Sequence, residues 1–308
     1  ASTYRDLLAR SAEVARALID LCSGEARRGP AKSSGGASST PTKSSGGASS
    51  APTERQPRIA YLVPPGFDHV ATQWGIWRAG AIGVPLSGVQ APSEWAYAIA
   101  DSQASVVVVE PRSADRMRAA MEGGTTRLVT TAELWPRAIS DDGVCPDLRT
   151  SDLRTSDLRT SDRSARSQAA LILYTSGTTG RPKGVVLTHA NIEAQVRCLV
   201  AAWEWRLDDR ILLVLPLNHV HGIVNVLTCA LWAGATCEML PRFDTEAVWD
   251  IVATGRLTLF MAVPTIYAKL IAGWERASPE RRRAMSSGCR AMRLMVSGSA
   301  ALPVRVLE

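Results

Sequence analysis

One short stretch, residues 174–186, constrains the fold more than any other part of this chain: Tyr-Thr-Ser-Gly-Thr-Thr-Gly-Arg-Pro-Lys-Gly-Val-Val. Apolar runs at 169–173 and 185–187 flank it, which predicts two buried strands joined by a loop. The loop gathers glycines and hydroxyls around a single lysine, Lys183. Glycines let backbone N–H groups approach an oxyanion closely, hydroxyls add donors and the lysine adds positive charge. The stretch therefore predicts a phosphate-binding loop in preference to a flexible turn.

The spacing of this loop excludes two common phosphate-binding motifs. A Walker A loop needs a lysine directly after a glycine and a serine or threonine directly after the lysine. Here Pro182 precedes Lys183 and Gly184 follows it. The dinucleotide pattern G-x-G-x-x-G is not satisfied either.

Two further turns have the same design, an apolar strand that ends in small or polar residues before a helix. They read Leu-Pro-Leu-Asn-His-Val-His-Gly at 215–222 and Met-Arg-Leu-Met-Val-Ser-Gly-Ser-Ala-Ala-Leu-Pro at 292–303. Ligands of open α/β sheets collect where strands end and helices begin. The two histidines of the turn at 215–222 therefore favour a functional role over a buried structural one, although no third ligand nearby suggests a metal site. The turn at 292–303 lacks the G-x-S-x-G of a hydrolase nucleophile.

Strand-like and helix-like segments alternate along the chain at the spacing of βαβ units, which predicts a mainly parallel α/β sheet. The length of 308 residues is that of about two domains. Strands are predicted at 58–63, 80–86, 106–109, 211–215, 235–240, 257–263 and 293–296. Helices are predicted at 3–21, 67–79, 92–101, 190–205, 221–233, 244–253, 264–274, from 278, and at the end of the chain. Asp244 and Thr245 are predicted to cap the helix at 244–253, and Pro264 to open the one at 264–274.

Two low-complexity tracts interrupt this pattern. Residues 28–55 contain a Gly/Ser/Pro segment that is repeated almost unchanged, and residues 146–166 contain a repeated pentapeptide. Neither tract carries enough apolar residues to order itself, so both are predicted to be surface loops without chemistry. The pentapeptide is also too short and too polar for a solenoid.

Composition excludes several classes of partner. The net charge is +6, and all but four of the 35 basic residues are arginines scattered among acids with few aromatics, which disfavours nucleic acid. No apolar run approaches the ~18 residues of a membrane span. The six cysteines show no C-x-x-C and no paired spacing, which predicts free, mostly buried thiols in a reducing intracellular compartment. The sequence begins at Ala1 without Met or a recognisable leader, which says nothing about localisation. We expect no protein partner.

The phosphate loop resembles, nearly residue for residue, that of the AMP-forming adenylating superfamily of acyl-CoA synthetases, luciferases and peptide-synthetase adenylation domains, [YF]-T-S-G-[ST]-T-G-x-P-K-G. The three turns, in this order, resemble the large N-terminal domain of that superfamily. Segments at 219–227, 232–236, 260–267 and 292–303 are similar to the malonyl-CoA and methylmalonyl-CoA synthetases, the group called acyl-CoA synthetase family member 3 in animals. The resemblance runs from Thr3 to Glu308, apart from the two repeat tracts.

This resemblance implies an α/β fold of mostly parallel sheets flanked by helices, with residues 1–308 forming part of the AMP-binding N-terminal domain. The family's Tyr-Gly-x-Thr-Glu motif, its ribose-binding Asp and its small C-terminal domain with a catalytic Lys do not occur in this sequence. We therefore expect a fragment or truncated product that is inactive alone. A CoA ligase for a monocarboxylic acid and a non-catalytic nucleotide-binding remnant are the alternatives.

The implied reaction joins malonate or methylmalonate to coenzyme A through an acyl-adenylate, with ATP and Mg²⁺. The resemblance implies a mitochondrial protein, with the cytosol as the alternative. Its nucleotide-binding candidates are Thr175, Ser176, Gly177, Thr178, Thr179, Gly180 and Lys183 for the phosphates, and Gly298, Ser299 and Ala300 for adenine. Its catalytic candidates are Lys183, Thr178 and His219, and its candidates for the acid are His219, His221, Arg293 and Ser297. Arg293 fits a surface arginine at a strand end equally well.

Overall fold

The computed structural model describes residues 2–26, 56–135, 166–175 and 181–307. These residues form two β-sheets flanked by helices, as the alternating sequence pattern predicted. The predicted loop at 28–55 and all but the last residue of the one at 146–166 lie outside the described residues, as do positions 176–180 of the phosphate loop.

The first sheet has six strands in the order β4-β3-β1-β2-β5-β6, five of them parallel and β6 antiparallel to β5. Its strands are β1 Arg58–Leu62, β2 Ile82–Pro85, β3 Val106–Val109, β4 Arg127–Thr130, β5 Ala169–Thr175 and β6 Lys183–Thr188. Each of the four valines of β3 is fully buried, which is typical of a parallel strand covered on both faces.

The second sheet has four parallel strands in the order β10-β9-β7-β8. Its strands are β7 Arg210–Leu213, β8 Thr236–Met239, β9 Leu259–Ala262 and β10 Leu294–Ser297. Because all four run the same way, every loop that follows one of them begins at the same edge of the sheet. A single apolar cluster includes residues of both sheets, such as Leu171 and Leu213.

Helices fill the connections between strands. They are α1 Tyr4–Ala26, α2 Phe67–Arg78, α3 Pro92–Ser102, α4 Ala114–Ala120, α5 Thr131–Leu134, α6 His189–Ala202, α7 Cys229–Ala233, α8 Thr245–Ala253, α9 Pro264–Arg276, α10 Pro279–Arg290 and α11 Val304–Leu307, with a 3₁₀ turn at Pro111–Ser113 and a π-helix at His221–Thr228. None of the helices within the described ranges is long and apolar enough to cross a membrane.

Local sequence signals explain where several of these helices begin. The Asp244 carboxylate accepts a hydrogen bond from the Ala247 amide at 2.9 Å, so the predicted N-terminal cap of α8 is present. Thr188 and Asn191 cap α6 reciprocally, since each side chain accepts a bond from the other's backbone N–H. Pro264 occupies the first turn of α9, where its missing N–H costs nothing.

Several predictions about these elements were wrong. β6 is an exposed edge strand, with Val185 45% and Val186 54% exposed, because its apolar run has a neighbouring strand on one side only. The helix predicted at 221–233 is present, although its first part, His221–Thr228, is a π-helix. Of the five described cysteines only Cys229 is buried, and Cys198 is exposed. The sequence analysis also did not predict α4, β4 and α5.

A buried ion pair closes the amino-terminal edge of the second sheet. The Asp209 side chain is 2% exposed and accepts hydrogen bonds from Arg293 Nε at 2.9 Å and Thr258 Oγ1 at 2.7 Å. Arg293 also donates to the carbonyl oxygens of Trp203 and Glu204. Burial acts to raise the pKa of Asp209, but the bonds from Arg293 and Thr258 outweigh it and hold that pKa below its usual value. The pair thus ties β7, β9 and β10 to the end of α6.

Replacing Arg293 should therefore reduce stability. We expect Arg293→Ala to lower the free energy of unfolding by about 3 kcal/mol, because a buried carboxylate loses its partner. The exposed pair of Arg283 with Glu280 supplies the control, and Arg283→Ala should change stability by less than about 1 kcal/mol. Urea unfolding measures both, and equal effects would contradict the structural role of Arg293.

The same ion pair gives stability a defined pH dependence. Because the pKa of Asp209 is depressed in the folded state, its contribution is complete above the unfolded value of about 3.9 and is lost as pH falls through the folded value. Asp209→Asn should flatten the fall in stability below about pH 4, measured by urea unfolding across pH. An unchanged acid limb would exclude Asp209 as its source.

Candidate functional site

The three turns singled out in the sequence follow the carboxyl ends of β5, β7 and β10. The turns after β7 and β10 share an edge because their strands are parallel neighbours of β9. The turn after β5 connects to them through α6, which follows β6 and packs on the π-helix. A cleft of about 630 Å³ lies between β6, α6 and the start of the π-helix and is lined by Leu187, Asn191, Ile192, Ala194, Gln195, Val220 and Val224.

Thr175 and Lys183 are paired opposite each other at the mouth of the β5–β6 hairpin. Both side chains are exposed, so the lysine ammonium is accessible to an anion. Ser176, Gly177, Thr178, Thr179 and Gly180 lie between them, outside the described residues, and their roles stay predictions.

Two tyrosines hold the hairpin against α3. The Tyr97 hydroxyl donates to the Pro182 carbonyl oxygen at 2.9 Å, next to Lys183. The Tyr174 hydroxyl donates to Asp101 Oδ2 at 2.7 Å, and burial together with this carboxylate raises its pKa. The two rings meet edge to face with centroids 6.1 Å apart. The sequence analysis missed Tyr97 and Asp101, although their spacing of four residues on a helix places them on one face.

Gly184 is required by this packing. A Cβ at its position would lie 2.9 Å from Ile172 Cγ2 and 3.2 Å from Tyr174 Cζ. The glycine after the lysine therefore leaves room beside β6 for the Ile172 and Tyr174 side chains of β5. The serine or threonine that a Walker A motif requires directly after its lysine would therefore crowd Ile172 and Tyr174 at this position.

The two histidines of the second turn have different environments. His219 is exposed, whereas His221 is 8% exposed and begins the π-helix. Burial lowers the pKa of His221, so its imidazole is neutral near pH 7. Gly222 fits the chain against the preceding turn, since a Cβ there would lie 2.3 Å from the Pro216 carbonyl oxygen. Short π-helical segments are frequently found at functional sites.

The third turn lies against His221. The imidazole Nδ1 is 3.0 Å from the Ser299 hydroxyl, and a Cβ on Gly298 would lie 3.0 Å from its Cε1. Two buried polar atoms in these turns, Asn218 Oδ1 and Ser297 Oγ, have no hydrogen-bond partner within the described part of the chain. Buried polar groups without partners are rare in native proteins, and at a turn of this kind a ligand can satisfy them.

Arg293 does not join this group, which corrects its place among the candidates for the acid. It directly precedes β10, whereas Ser297 ends that strand, so the two are about 13 Å apart along an extended chain. Its guanidinium is occupied by Asp209 and two carbonyl oxygens at the opposite edge of the sheet. The alternative of a strand-end arginine is therefore correct.

Asn191 and Gln195 were not predicted and belong to the cleft wall. The side-chain oxygen Oδ1 of Asn191 accepts the Thr188 N–H at the start of α6, which leaves the side-chain nitrogen Nδ2 available as a donor. Gln195 Nε2 donates to Asn225 Oδ1 at 3.4 Å. The two residues are four positions apart on α6, so they lie on one face.

No group of three or more His, Cys, Asp or Glu side chains within the described ranges could hold a metal ion. Mg²⁺ is commonly held by substrate phosphates and water with few protein carboxylates. We therefore treat it as part of a Mg·ATP substrate and assign it no protein ligand.

Comparison with known families agrees with this geometry. The model of the family described as AMP-binding enzyme matches residues 50–308. The chain belongs to this family. Human mitochondrial malonate–CoA ligase ACSF3 is 40% identical over 261 residues, which are 82% of this chain and 43% of that protein. The Xenopus laevis protein of the same name is 38% identical over 313 residues, which are 99% of this chain and 48% of that protein. The chain thus spans less than half the length of these relatives.

Solved structures give the same fold. The crystal structure of ATP-bound MatB from Rhodopseudomonas palustris matches 98% of this chain and 50% of its own, with 26% identity and a TM-score of 0.70. A malonyl-CoA ligase ternary product complex with methylmalonyl-CoA and AMP bound matches 81% of this chain and 48% of its own, with 28% identity and a TM-score of 0.64. The N-terminal domain of FACL13 from Mycobacterium tuberculosis, at 24% identity and a TM-score of 0.67, shares the fold. The architecture predicted for an N-terminal adenylating domain is confirmed.

Substitution at Gly222 tests the packing of the second turn. We expect Gly222→Ala to lower the free energy of unfolding by about 1–3 kcal/mol, because the added methyl overlaps the Pro216 carbonyl. Gly88→Ala is the matched control, since nothing lies within 4 Å of a Cβ there. Thermal unfolding of the two variants measures the difference, and equal midpoints would contradict the close approach.

Proposed function

We propose that this chain forms the nucleotide- and acid-binding part of an AMP-forming CoA ligase that activates malonate or methylmalonate. The observation that carries the proposal is the β5–β6 hairpin, which places Lys183 and Thr175 at the mouth of the phosphate loop while two tyrosines anchor its flanks. The curated relatives named malonate–CoA ligase support the choice of acid.

The proposed reaction has two steps. A carboxylate oxygen of the acid attacks the α-phosphorus of Mg·ATP, and the bond to pyrophosphate breaks to leave an acyl-adenylate. The sulfur of coenzyme A then attacks the acyl carbonyl carbon, and AMP leaves. Such phosphoryl chemistry depends on positioning and charge neutralisation.

The residues divide between these partners. Lys183 and Thr175, with the loop residues Ser176 to Gly180, bind the β- and γ-phosphates and so stabilise the departing pyrophosphate. Gly298, Ser299 and Ala300 line the adenine side. His221 faces the acid from the turn between them, and the exposed His219 is the second imidazole within reach of it.

The second carboxylate of malonate needs donors, because a buried anion without a partner is costly. The cleft between α6 and the start of the π-helix is mostly apolar and offers the side-chain amides of Asn191 and Gln195. We assign the distal carboxylate to these amides together with His219 and Ser297, in place of Arg293. A monocarboxylic acid would leave those donors without an acceptor, which is how this site would discriminate against it.

Carboxylate-dependent ATP–pyrophosphate exchange tests the proposal. It should be measured with malonate, methylmalonate and acetate on this chain and on any longer polypeptide that carries it. Exchange with malonate or methylmalonate supports the proposed acid. Exchange with acetate alone keeps the adenylation step and refutes the dicarboxylate pocket. No exchange with any acid, from folded protein that still binds ATP, favours the non-catalytic nucleotide-binding alternative.

The role of Lys183 predicts a large and specific loss. Lys183→Ala should reduce exchange about 100-fold, because the charge developing on the leaving pyrophosphate loses its nearest cation. Lys269→Ala is the matched control, since Lys269 lies on α9 and its ammonium packs over the Phe243 ring. A Lys183→Ala protein that is folded and fully active would refute the phosphate site.

The tyrosine contacts predict an effect on nucleotide binding. Tyr97→Phe removes the bond to the Pro182 carbonyl and should raise the KM for ATP about 5-fold with little change in kcat. Tyr4→Phe, which removes a bond to the Ala235 carbonyl away from the loop, should leave both constants unchanged. Equal effects of the two changes would show that Tyr97 supports only the fold.

We also propose a mitochondrial location, since the animal relatives above carry that word in their names. Fractionation of cells that express the protein separates this from the cytosolic alternative.

A further inference from the structure

A single hydrogen bond joins the second and third turns of the site. His221 Nδ1 and Ser299 Oγ are 3.0 Å apart, although the two residues are 78 positions apart in the chain. Within the described ranges this is the one side-chain hydrogen bond of His221, and it leaves Nε2 without a partner there.

The imidazole ring also has little freedom to move away from this bond. It lies on Gly298, where even a methyl group would come within 3.0 Å of Cε1. The ring is 8% exposed, and the π-helix that begins at His221 fixes its backbone. The contact with Ser299 is therefore part of a packed arrangement.

Ser299 holds an unusual backbone conformation to make the contact. Its φ is 66°, in the left-handed region that residues with a Cβ adopt at a cost of about 1–2 kcal/mol. A glycine would adopt it without that cost. Strain of this kind persists at functional sites, where the side chain that requires it has a role. The hydroxyl of Ser299 is the group that a glycine would lack.

The chemistry of the acid decides the direction of this hydrogen bond. A neutral imidazole carries one hydrogen, on either Nδ1 or Nε2. A carboxylate and a phosphate accept hydrogen bonds and donate none. For His221 to bind either anion through Nε2, the hydrogen must lie on Nε2, so Nδ1 must accept from the Ser299 hydroxyl.

We propose that Ser299 is a positioning residue that donates its hydroxyl hydrogen to Nδ1 of His221 and so holds the imidazole hydrogen on Nε2, directed at a carboxylate oxygen of the acid. The identity of that acceptor rests on the proposed function. The tautomer is inferred from that function too, but it can be measured without turnover.

The chain contains its own reference for the opposite tautomer. His69 Nδ1 lies 2.7 Å from the Val63 carbonyl oxygen, which only accepts, so the hydrogen of that ring must be on Nδ1. Burial lowers the pKa of His69 to about 4, which keeps it neutral at pH 7. With only four histidines in the sequence, ring signals are assigned by replacing each in turn.

Long-range ¹H–¹⁵N NMR of histidine-labelled protein at neutral pH therefore tests the proposal, because protonated and unprotonated ring nitrogens have well-separated ¹⁵N shifts. We expect His221 with its hydrogen on Nε2 and His69 with its hydrogen on Nδ1. A hydrogen on Nδ1 of His221 would overturn the proposal.

Ser299→Gly removes the hydroxyl and relieves the backbone strain together. We expect the His221 signals to move to an average of both tautomers, the His69 signals to stay unchanged, and the thermal midpoint to be no lower than that of the wild type. Ser299→Ala, which keeps the Cβ, should change the His221 signals in the same way. Unchanged His221 signals in both variants would overturn the proposal.

Kinetics then separate positioning from structure. In protein that catalyses carboxylate-dependent exchange, Ser299→Gly should raise the KM for the acid about 5-fold, the value of one hydrogen bond. An unchanged KM for the acid would overturn the positioning role. If the wild type shows no exchange with any acid, the proposed function fails, while the NMR comparison still decides whether Ser299 sets the tautomer.

Discussion

The parallel alignment of β7, β9 and β10 is the constraint on which the candidate site depends. Parallel neighbours bring the loops after their carboxyl ends to one edge of the sheet, so turns distant in sequence become adjacent in space. His221 and Ser299 meet in this way. The buried pair of Asp209 and Arg293 fixes the opposite edge, where the same strands begin. One end of the sheet is thus closed by charge pairing, and the other keeps polar atoms available for a ligand.

Close backbone packing prepares the site at three glycines. Gly184 leaves room for two β5 side chains beside β6, Gly222 lets the π-helix lie against the preceding turn, and Gly298 accommodates the His221 ring. At each position a methyl group would displace the neighbour on which a functional residue rests. The small residues of the three motifs are therefore explained by packing as much as by access for a phosphate or an adenine.

Local signals in the sequence predicted much of the fold. The valine run of β3, the Asp244 cap and the proline that opens α9 depend on near neighbours, and each was found as predicted. The density of the phosphate-loop motif was sufficient to identify the family. The errors concern partners distant in the chain. Arg293 pairs with a residue 84 positions away, and Tyr97 bonds to one 85 positions away, so neither contact leaves a periodic signal. Likewise, an apolar run does not show whether its strand lies at the edge of a sheet.

The most direct test of the account is a crystal structure of the protein with a non-hydrolysable ATP analogue. We predict phosphate density beside Lys183 and Thr175, enclosed by residues 176–180, and adenine against Gly298, Ser299 and Ala300. A nucleotide bound elsewhere on the chain, or at the hairpin without contact to Lys183, would contradict the assignment of the three turns as the active site.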